Sequence, residues 1–267
     1  MLKALRNRRK SAKGEAAPAR DATAPLQPVR VDWPHYVIGD VHGRMDLLQA
    51  LSHQIIEDAR ARPGMGAARI VYLGDYVDRG DASAQVLDHV YRLNLAQPER
   101  HICLKGNHEA MMLDFLNDPV ARGARWLRHG GLQTLASYGI GGLTERAAPE
   151  EILDASEALH AALPEGVIAW LDGLPTLHIT GNLICVHAAL DPDLPPEASP
   201  ERSRLWGQKD FYRNARNDGY WVIHGHTIVD EAGPTPNGRL ELDTGAYATG
   251  RLTAAGFNDV DVWLLST

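Results

Sequence analysis

The sequence predicts an α/β fold, because short apolar runs alternate with stretches of helical periodicity along its first half. The runs at 35–40, 69–75 and 101–107 have the length of strands, and each is followed by a helical pattern. This alternation is typical of parallel βαβ units. With 267 residues and 44% hydrophobic content, the chain can bury one sizeable core. We therefore expect a single domain that begins near Val29.

Three helices are predicted between these strands and after them. Residues 44–62, 82–95 and 108–116 repeat Leu, Ile, Val or Met at helical spacing. The first of these helices is expected to stop at Pro63-Gly64. The sequence thus predicts a strand, a helix, and the same pair twice more.

The second half of the chain contains a different pattern. Residues 117–175 include helical stretches at 150–163 and 167–174 with no strand between them, which predicts a helical insertion. After it, "TLHIT" and "NLICVH" lie on either side of Gly181-Asn182 as a predicted hairpin. "YWVIHGH", "GRLELDTG", "RLTAAGF" and "VDVWLLS" supply the remaining strands.

Charge is distributed unevenly between the N-terminal segment and the rest. Residues 1–28 contain seven Lys or Arg and two acidic residues, so they carry +5, and the remainder of this −7 chain carries −12. The segment is rich in Ala, Pro and Arg without apolar periodicity, which predicts a disordered tail; contact with anionic lipid, nucleic acid or a partner is the alternative. The acidic remainder argues against nucleic-acid binding.

The sequence predicts no membrane span. No stretch approaches the roughly 20 consecutive apolar residues that a spanning helix needs, and the basic N-terminus lacks the apolar core of a signal peptide. We therefore expect a cytoplasmic protein. The pattern does not indicate an oligomeric state.

Polar side chains that suit metal binding follow five of the predicted strands. They are Asp40 and His42, Asp75 and Asp78, Asn107 and His108, His187, and His226. Ligands of open α/β sheets bind beyond the carboxyl ends of the strands. Carboxylate, imidazole and amide oxygen together suit Mn²⁺, Fe or Zn²⁺ better than Mg²⁺ or Ca²⁺. Two such ions can hold both oxygens of a phosphoryl displacement, so the pattern indicates phosphoester chemistry.

The motifs "GDVHGR", "GDYVDRG", "GNHE", "HAAL" and "GHT" occur in this order over residues 39–227. They resemble those of the calcineurin-like metallophosphoesterases, specifically the phosphoprotein phosphatase branch with its bacterial and phage serine/threonine phosphatases. The resemblance implies a sandwich of two mixed sheets flanked by helices, with residues 29–267 as the catalytic domain. It also implies two divalent ions, Mn²⁺ first, with Fe or Zn²⁺ as alternatives, and attack on phosphate by a metal-bound hydroxide.

The resemblance assigns roles to individual residues. The implied metal ligands are Asp40 and His42 for the first ion, Asp75 as the bridge, and Asn107, His187 and His226 for the second. His108 is implied to be the general acid, with Asp78 orienting its ring. Arg79 is implied to grip the substrate phosphate, with Asn107 as a further contact. Lys209 is our own candidate for a third phosphate contact, in place of a family residue that this chain lacks.

The sequence departs from the family at one position. Phage-type members commonly have an arginine two residues after the tryptophan of a segment resembling "RLWGQKDF", and that arginine helps to hold phosphate. Gln208 stands there in this chain. Lys209, Arg204 or Arg213 could supply the missing charge.

Three functions follow from these observations. The first is hydrolysis of phosphoserine, phosphothreonine or phosphotyrosine in a phosphoprotein or phosphopeptide. The second is hydrolysis of diadenosine polyphosphates, a sister activity whose family usually has GNHD where this chain has Glu109. The third is a scaffold that keeps the fold without catalysis. The combination of "GNHE" with Asp78-Arg79 favours the first.

Overall fold

The architecture is known from a computed structural model that describes residues 28–258 and 260–267. The predicted tail, apart from Pro28, lies outside the described residues. The expected division into a tail, a catalytic domain and the 117–175 insertion remains a prediction.

The first sheet contains the strands that the βαβ pattern predicts. Its order is β10-β9-β1-β2-β3, with β1 (His35–Ile38), β2 (Arg69–Tyr72) and β3 (His101–Cys103) parallel to one another. Two antiparallel strands, β9 (Thr253–Phe257) and β10 (Val262–Ser266), continue it on the other side of β1. The sheet is therefore mixed, and its three parallel strands end on the same edge.

The second sheet has the order β4-β5-β6-β8-β7. The predicted hairpin is confirmed as β4 (Leu177–Thr180) paired antiparallel with β5 (Leu183–Val186). Strands β5, β6 (Trp221–His224) and β8 (Arg239–Glu241) are parallel, and the two-residue β7 (Gly233–Pro234) closes the edge.

Ten α-helices surround these sheets within the described residues. They are α1 (Met45–Ala61), α2 (Ser83–Ala96), α3 (Asn107–Asn117), α4 (Pro119–Trp126), α5 (Leu132–Ser137), α6 (Pro149–Ala162), α7 (Val167–Gly173), α8 (Glu201–Trp206), α9 (Lys209–Arg213) and α10 (Ala246–Thr249). A π-helical turn at Leu127–Gly131 joins α4 to α5. None of the helices in the described ranges is long and apolar enough to cross a membrane.

Alternation along β1 divides the core into layers. Tyr36 and Ile38 pack with the helices α1 to α7, whereas Val37 packs with residues of the second sheet such as Ile223 and Leu240. All four β1 residues are buried, because helices cover one face of the strand and a sheet covers the other. The predicted sandwich of two mixed sheets flanked by helices is confirmed.

Candidate metal centre and active site

The loops that follow the parallel strands meet at one edge of the sandwich. The loop after β1 is hydrogen-bonded to the loop after β2, since the His42 and Gly43 amides donate to the Asp75 and Tyr76 carbonyls at 2.8 and 2.9 Å. In the second sheet the Gly225 amide donates to the His187 carbonyl at 2.9 Å. The fold thereby brings together polar side chains that are up to 186 residues apart in sequence.

Asp75 lies at the centre of two groups of potential metal ligands. One group is His42, Asp75 and His108, the other is Asp75, His187 and His226, and in each the candidate ligand atoms lie within 4.8 Å of one another. Asp75 Oδ2 is 3.5 Å from His42 Nε2, and Asp75 Oδ1 is 3.4 Å from His187 Nε2. The carboxylate therefore faces both groups, as a bridging ligand must.

Asn107 adds an amide oxygen to the second group. Its Oδ1 is 2.8 Å from His187 Nε2 and 2.9 Å from His226 Nδ1. The other nitrogen of His187, Nδ1, lies 3.0 Å from the Leu73 carbonyl and donates its proton there. His187 Nε2 is then an acceptor that faces another acceptor, and a shared cation relieves that contact.

His42 shows the same orientation. Its Nδ1 lies 2.9 Å from the Val77 carbonyl, so its Nε2 carries the lone pair that faces Asp75. This Nε2 is buried without a hydrogen-bond partner, as is Oδ1 of Asp40. Two orphaned buried acceptors beside a carboxylate fit a divalent cation.

Asp40 is the predicted ligand that lies outside both compact groups. Its Oδ2 accepts a hydrogen bond of 2.9 Å from the His226 amide. Gly225 permits this approach, because a Cβ there would overlap the Asp40 carboxylate. Burial, followed by repulsion from Asp243 and Asp75, raises the pKa of Asp40 well above its usual range. A cation nearby would offset this accumulation of negative charge.

Glu109 holds the loop that carries Asp75. Its two carboxylate oxygens accept hydrogen bonds from the amides of Asp75, Tyr76 and Gly106 at 2.8, 2.7 and 2.9 Å, and from the Val77 amide at 3.3 Å. One buried side chain thus satisfies four backbone donors of the second and third motifs. The carboxyl group reaches both motifs from the first turn of α3.

The backbone of this site is strained. The non-glycine residues with positive φ in the described ranges are all predicted site residues: His42 (45°), Asp75 (52°), Asp78 (73°), Arg79 (69°) and His226 (64°). Left-handed conformations are unfavourable for residues that have a Cβ, and they concentrate at functional sites.

His108 and Asp78 form a buried pair beside the candidate metal ligands. His108 Nδ1 is 2.7 Å from Asp78 Oδ2, and His108 Nε2 is 3.9 Å from Asp75 Oδ2. Burial alone would lower the pKa of His108, but Asp75 and Asp78 outweigh it and raise that pKa. Burial lowers the pKa of His42 to about 3, although Asp75 opposes this change. The same pocket therefore favours a protonated His108 and a neutral His42.

Arg79 lies at the rim of the site. Its guanidinium stacks on the ring of Tyr247 at 4.7 Å, and that ring also contacts His42 edge-on at 5.4 Å. Tyr247 is a site residue that the sequence analysis missed. It comes from the short helix α10, and its sequence neighbours carry no signal for it.

The structure places Gln208 and one of the three candidates for the missing charge in contacts within the protein. Gln208 accepts from Ser203 Oγ at 3.0 Å and donates to the Leu190 carbonyl at 3.3 Å. The Arg204 guanidinium donates to Thr176 Oγ1 and to the carbonyls of residues 196 and 197, so it braces a loop. Lys209 and Arg213, by contrast, are exposed at the two ends of α9.

Two residues of the predicted insertion also reach the site. Trp126 Nε1 donates to both carboxylate oxygens of Asp78, and Thr134 Oγ1 donates to Asp78 Oδ1. Trp126 is fully buried and packs in the core as well. The signal available in the sequence was chemical, because a buried indole N–H needs an acceptor.

The ligand cluster at this edge of the sandwich implies divalent metal ions. The family profile described as "Calcineurin-like phosphoesterase" matches residues 34–264. The chain therefore belongs to the calcineurin-like phosphoesterase family.

Relatives within this family carry two kinds of name. The chain is 27% identical over 235 residues to the asymmetrical bis(5′-nucleosyl)-tetraphosphatase PrpE of Anoxybacillus flavithermus, covering 84% of this chain and 91% of the relative. It is 32% identical over 84 residues to the serine/threonine-protein phosphatase 4 catalytic subunit of Candida glabrata, covering 32% of this chain and 25% of that one. Several matches, including this one, span only about a quarter to a third of the relative's length.

A solved structure shows the same fold. A serine/threonine phosphatase from Saccharomyces cerevisiae superposes with a TM-score of 0.53 at 15% identity, over 88% of this chain and 79% of the other. At this identity the comparison supports the architecture alone.

Proposed function

We propose that this protein is a two-metal phosphomonoester hydrolase that removes phosphate from serine and threonine residues of proteins. The observation that carries the proposal is the pair of His108 and Asp78, 2.7 Å apart, adjoining Asp75. A phosphoserine or phosphothreonine ester expels a basic alkoxide, which needs a proton from a placed acid. His108 Nε2 faces the cluster, so it is the atom that delivers this proton.

Arg79 is the proposed phosphate grip. Its planar fork matches two phosphate oxygens, and its guanidinium carbon lies over the ring of Tyr247. In this proposal Arg79 orients the phosphate, Asp78 orients His108, and Asn107 and Lys209 add polar contacts. These roles account for each predicted catalytic and phosphate-binding residue.

The proposed metal ligands lie on both sides of Asp75, with Asp40 added to His42 on one side and with His108 kept as the acid. Asp40, His42 and Asp75 would hold one ion, and Asp75, Asn107, His187 and His226 the other. When bound, two divalent ions supply Lewis-acid stabilisation of phosphoryl oxygens and a nucleophile at neutral pH. The mixed carboxylate, imidazole and amide set favours Mn²⁺, with Fe or Zn²⁺ as alternatives.

A second candidate is hydrolysis of dinucleoside polyphosphates. The match to the asymmetrical tetraphosphatase PrpE, which covers 84% of this chain, favours it. Support for a phosphoprotein substrate comes from the local matches to protein phosphatases and from Glu109, which stands where the sister family usually has aspartate. Both candidates use the same proposed metal ligands.

The test compares substrates with the metal-loaded protein. Dialysed protein supplied with Mn²⁺ is assayed on phosphoserine and phosphothreonine peptides, diadenosine tetraphosphate and 4-nitrophenyl phosphate. We expect the highest kcat/KM on the phosphopeptides. A higher kcat/KM on diadenosine tetraphosphate would replace the first candidate by the second.

Metal content is measured on the same preparation by mass spectrometry. We expect two ions per chain, and a Tm that falls when a chelator removes them. Asn107→Ala should reduce the ion content, whereas Asn117→Ala, an exposed asparagine at the other end of α3, should not. If the protein contains one ion or none per chain and its turnover is undiminished, the two-metal proposal is wrong.

A further inference from the structure

The carboxylate of Asp78 contacts the ring of the candidate acid, His108, on the side away from Asp75. It is fully buried, and one of its oxygens pairs with His108 Nδ1 at 2.7 Å. Trp126 Nε1 donates to its Oδ1 and Oδ2 at 3.1 and 3.0 Å. Thr134 Oγ1 donates to Oδ1 at 2.6 Å and also accepts from the Asp78 amide at 2.9 Å. Three side chains thus meet at one carboxylate.

The chemistry of these donors restricts the rotation of the carboxylate. An indole N–H can only donate, so Trp126 requires an acceptor at this place. Thr134 occupies Oδ1 and leaves Oδ2 for the imidazole of His108. A carboxylate that is held on both oxygens keeps the His108 ring in one orientation with Nε2 toward Asp75, as partners behind a functional histidine do.

The same segment holds the strained backbone of the second motif. The Arg79 amide donates to the Gly130 carbonyl at 3.4 Å. Gly130 has φ of 111°, and a Cβ there would lie 2.5 Å from Arg79 N and 2.9 Å from Asp78 Cβ. The π-helical turn at Leu127–Gly131 therefore approaches Asp78 and Arg79 as closely as a backbone without a side chain can.

From these contacts we infer that Trp126 and Thr134 are positioning residues, which set the orientation of Asp78 and, through it, of the proton donor His108. The inference rests on the proposed function, in which His108 protonates the leaving group. It gives the predicted insertion a part in the chemistry. Trp126 and Thr134 follow Asp78, whose carboxylate they hold, by 48 and 56 residues in sequence.

The variants remove hydrogen bonds while keeping shape. Trp126→Phe keeps a ring against Phe115, whose centroid is 4.6 Å away, and loses the N–H. Thr134→Val keeps the branched side chain and loses the hydroxyl. Trp170→Phe is the matched control. Trp170 lies in α7, away from Asp78, and its Nε1 also donates a hydrogen bond, to Asn94 Oδ1 at 2.7 Å.

The measurement is kcat on two esters that differ in the leaving group. Phenol, with a pKa of about 10 like tyrosine, needs the proton much more than 4-nitrophenol does. We expect Trp126→Phe and Thr134→Val each to lower kcat on phenyl phosphate by roughly 10- to 100-fold, with a much smaller loss on 4-nitrophenyl phosphate and little change in KM. Trp170→Phe should leave the ratio of the two rates unchanged.

His108→Asn, assayed in parallel, separates the two ways of being wrong. If His108→Asn slows both esters equally, the proposed acid role fails and the inference falls with it. If His108→Asn is selective for phenyl phosphate while Trp126→Phe and Thr134→Val keep the wild-type ratio, the inference alone is overturned. Should Trp126→Phe not fold, Thr134→Val decides by itself.

Discussion

His226 combines two demands that usually conflict in one residue. Its ring contacts Asn107, and its amide donates to Asp40, but its backbone is left-handed with φ of 64°. For a residue with a Cβ this conformation costs roughly 1–2 kcal/mol. The same cost applies at His42, Asp75, Asp78 and Arg79, and contacts such as those of Glu109 offset it.

A comparison of glycine and alanine isolates the backbone cost at His226. Both variants lose the ring, but only glycine enters the left-handed region freely. We expect His226→Gly to be more stable than His226→Ala by about 1 kcal/mol in urea unfolding of metal-free protein.

The control for this comparison is an exposed position inside a helix. At Glu157 in α6 the order should reverse, with alanine more stable than glycine by about 1 kcal/mol. If the free energy of unfolding of His226→Ala equals or exceeds that of His226→Gly, the backbone at His226 is not strained.

Helices α8 and α9 form one side of the site. Between them Gly207 lies near His226, since a Cβ there would be 3.9 Å from Cδ2 of that ring. Trp206 at the end of α8 carries the guanidinium of Arg125 at 4.4 Å, so α8 also contacts α4. Gln208 is held by Ser203 and Leu190, and Arg204 is held by Thr176 and the carbonyls of residues 196 and 197.

Lys209, the exposed cation at the start of α9, is the proposed cationic contact from this side. Losing a charge-assisted contact to phosphate at an exposed position should raise KM about tenfold, which corresponds to about 1.4 kcal/mol. We expect this for Lys209→Ala on a phosphopeptide, with a smaller effect at high salt because ions screen the contact.

Arg213→Ala tests the other exposed candidate and is the charge-matched comparison, since Arg213 lies at the far end of the same helix. Equal KM changes for Lys209→Ala and Arg213→Ala would indicate a general charge effect and remove Lys209 from the site. Arg204→Ala should act mainly by lowering Tm, with little change in KM, because the Arg204 guanidinium bonds to carbonyls of the protein.

Sequence patterns predicted the regular elements well where they were long. The helix predicted at 44–62 is Met45–Ala61, because its apolar positions Leu48, Leu51 and Ile55 all face the core. The two-residue strand Gly233–Pro234 and the four-residue helix Ala246–Thr249 were missed. Such short elements depend on tertiary contacts and have no period of their own.

The candidate site divides in the same way. Residues that directly follow strands could be predicted, because strand order places them at one edge of a sheet. The contacts of Trp126 and Thr134 with Asp78 could not be predicted, since they depend on how the helices after β3 fold back onto the loop after β2. Periodicity identifies buried positions but not the polar partner of a buried indole.

At the scale of the whole molecule, the contact between the two sheets contains two histidines. His35 begins β1 of the first sheet, and its ring centroid is 5.7 Å from that of His178 in β4 of the second. Burial lowers the pKa of His35 to about 4 and also lowers that of His178. Nε2 of each ring is buried without a hydrogen-bond partner.

This pair predicts a loss of stability in acid. Well above pH 6.5 His35 is neutral in both the folded and the unfolded state. As the pH falls through 6.5 toward 4, the unfolded chain binds a proton that the folded chain does not. The free energy of unfolding should therefore fall, by about 2 kcal/mol for His35 between pH 7 and pH 5. His35→Asn should lessen that loss in urea unfolding of metal-free protein.

The control is His53→Asn, which replaces an exposed histidine of α1 and should leave the pH dependence as in the wild type. Because both proteins retain the buried carboxylates and imidazoles of the metal centre, their difference reports His35. A His35→Asn variant with an unchanged pH dependence would place the acid sensitivity elsewhere.

The proposed ligands come from both sheets, so ions bound by them would join the two sheets. Asp40, Asp75 and Asn107 follow strands of the first sheet, whereas His187 and His226 follow strands of the second. An ion that binds only when the two sheets are packed together stabilises the folded protein. At a free ion concentration of one hundred times the dissociation constant, one such ion raises the free energy of unfolding by about 2.7 kcal/mol. Thermodynamic linkage makes this coupling reciprocal. A substitution that weakens the packing between the sheets, around Val37 and Ile223, should therefore weaken metal affinity without changing a ligand. Metal supply would then govern how long the folded protein persists as well as how fast it turns over.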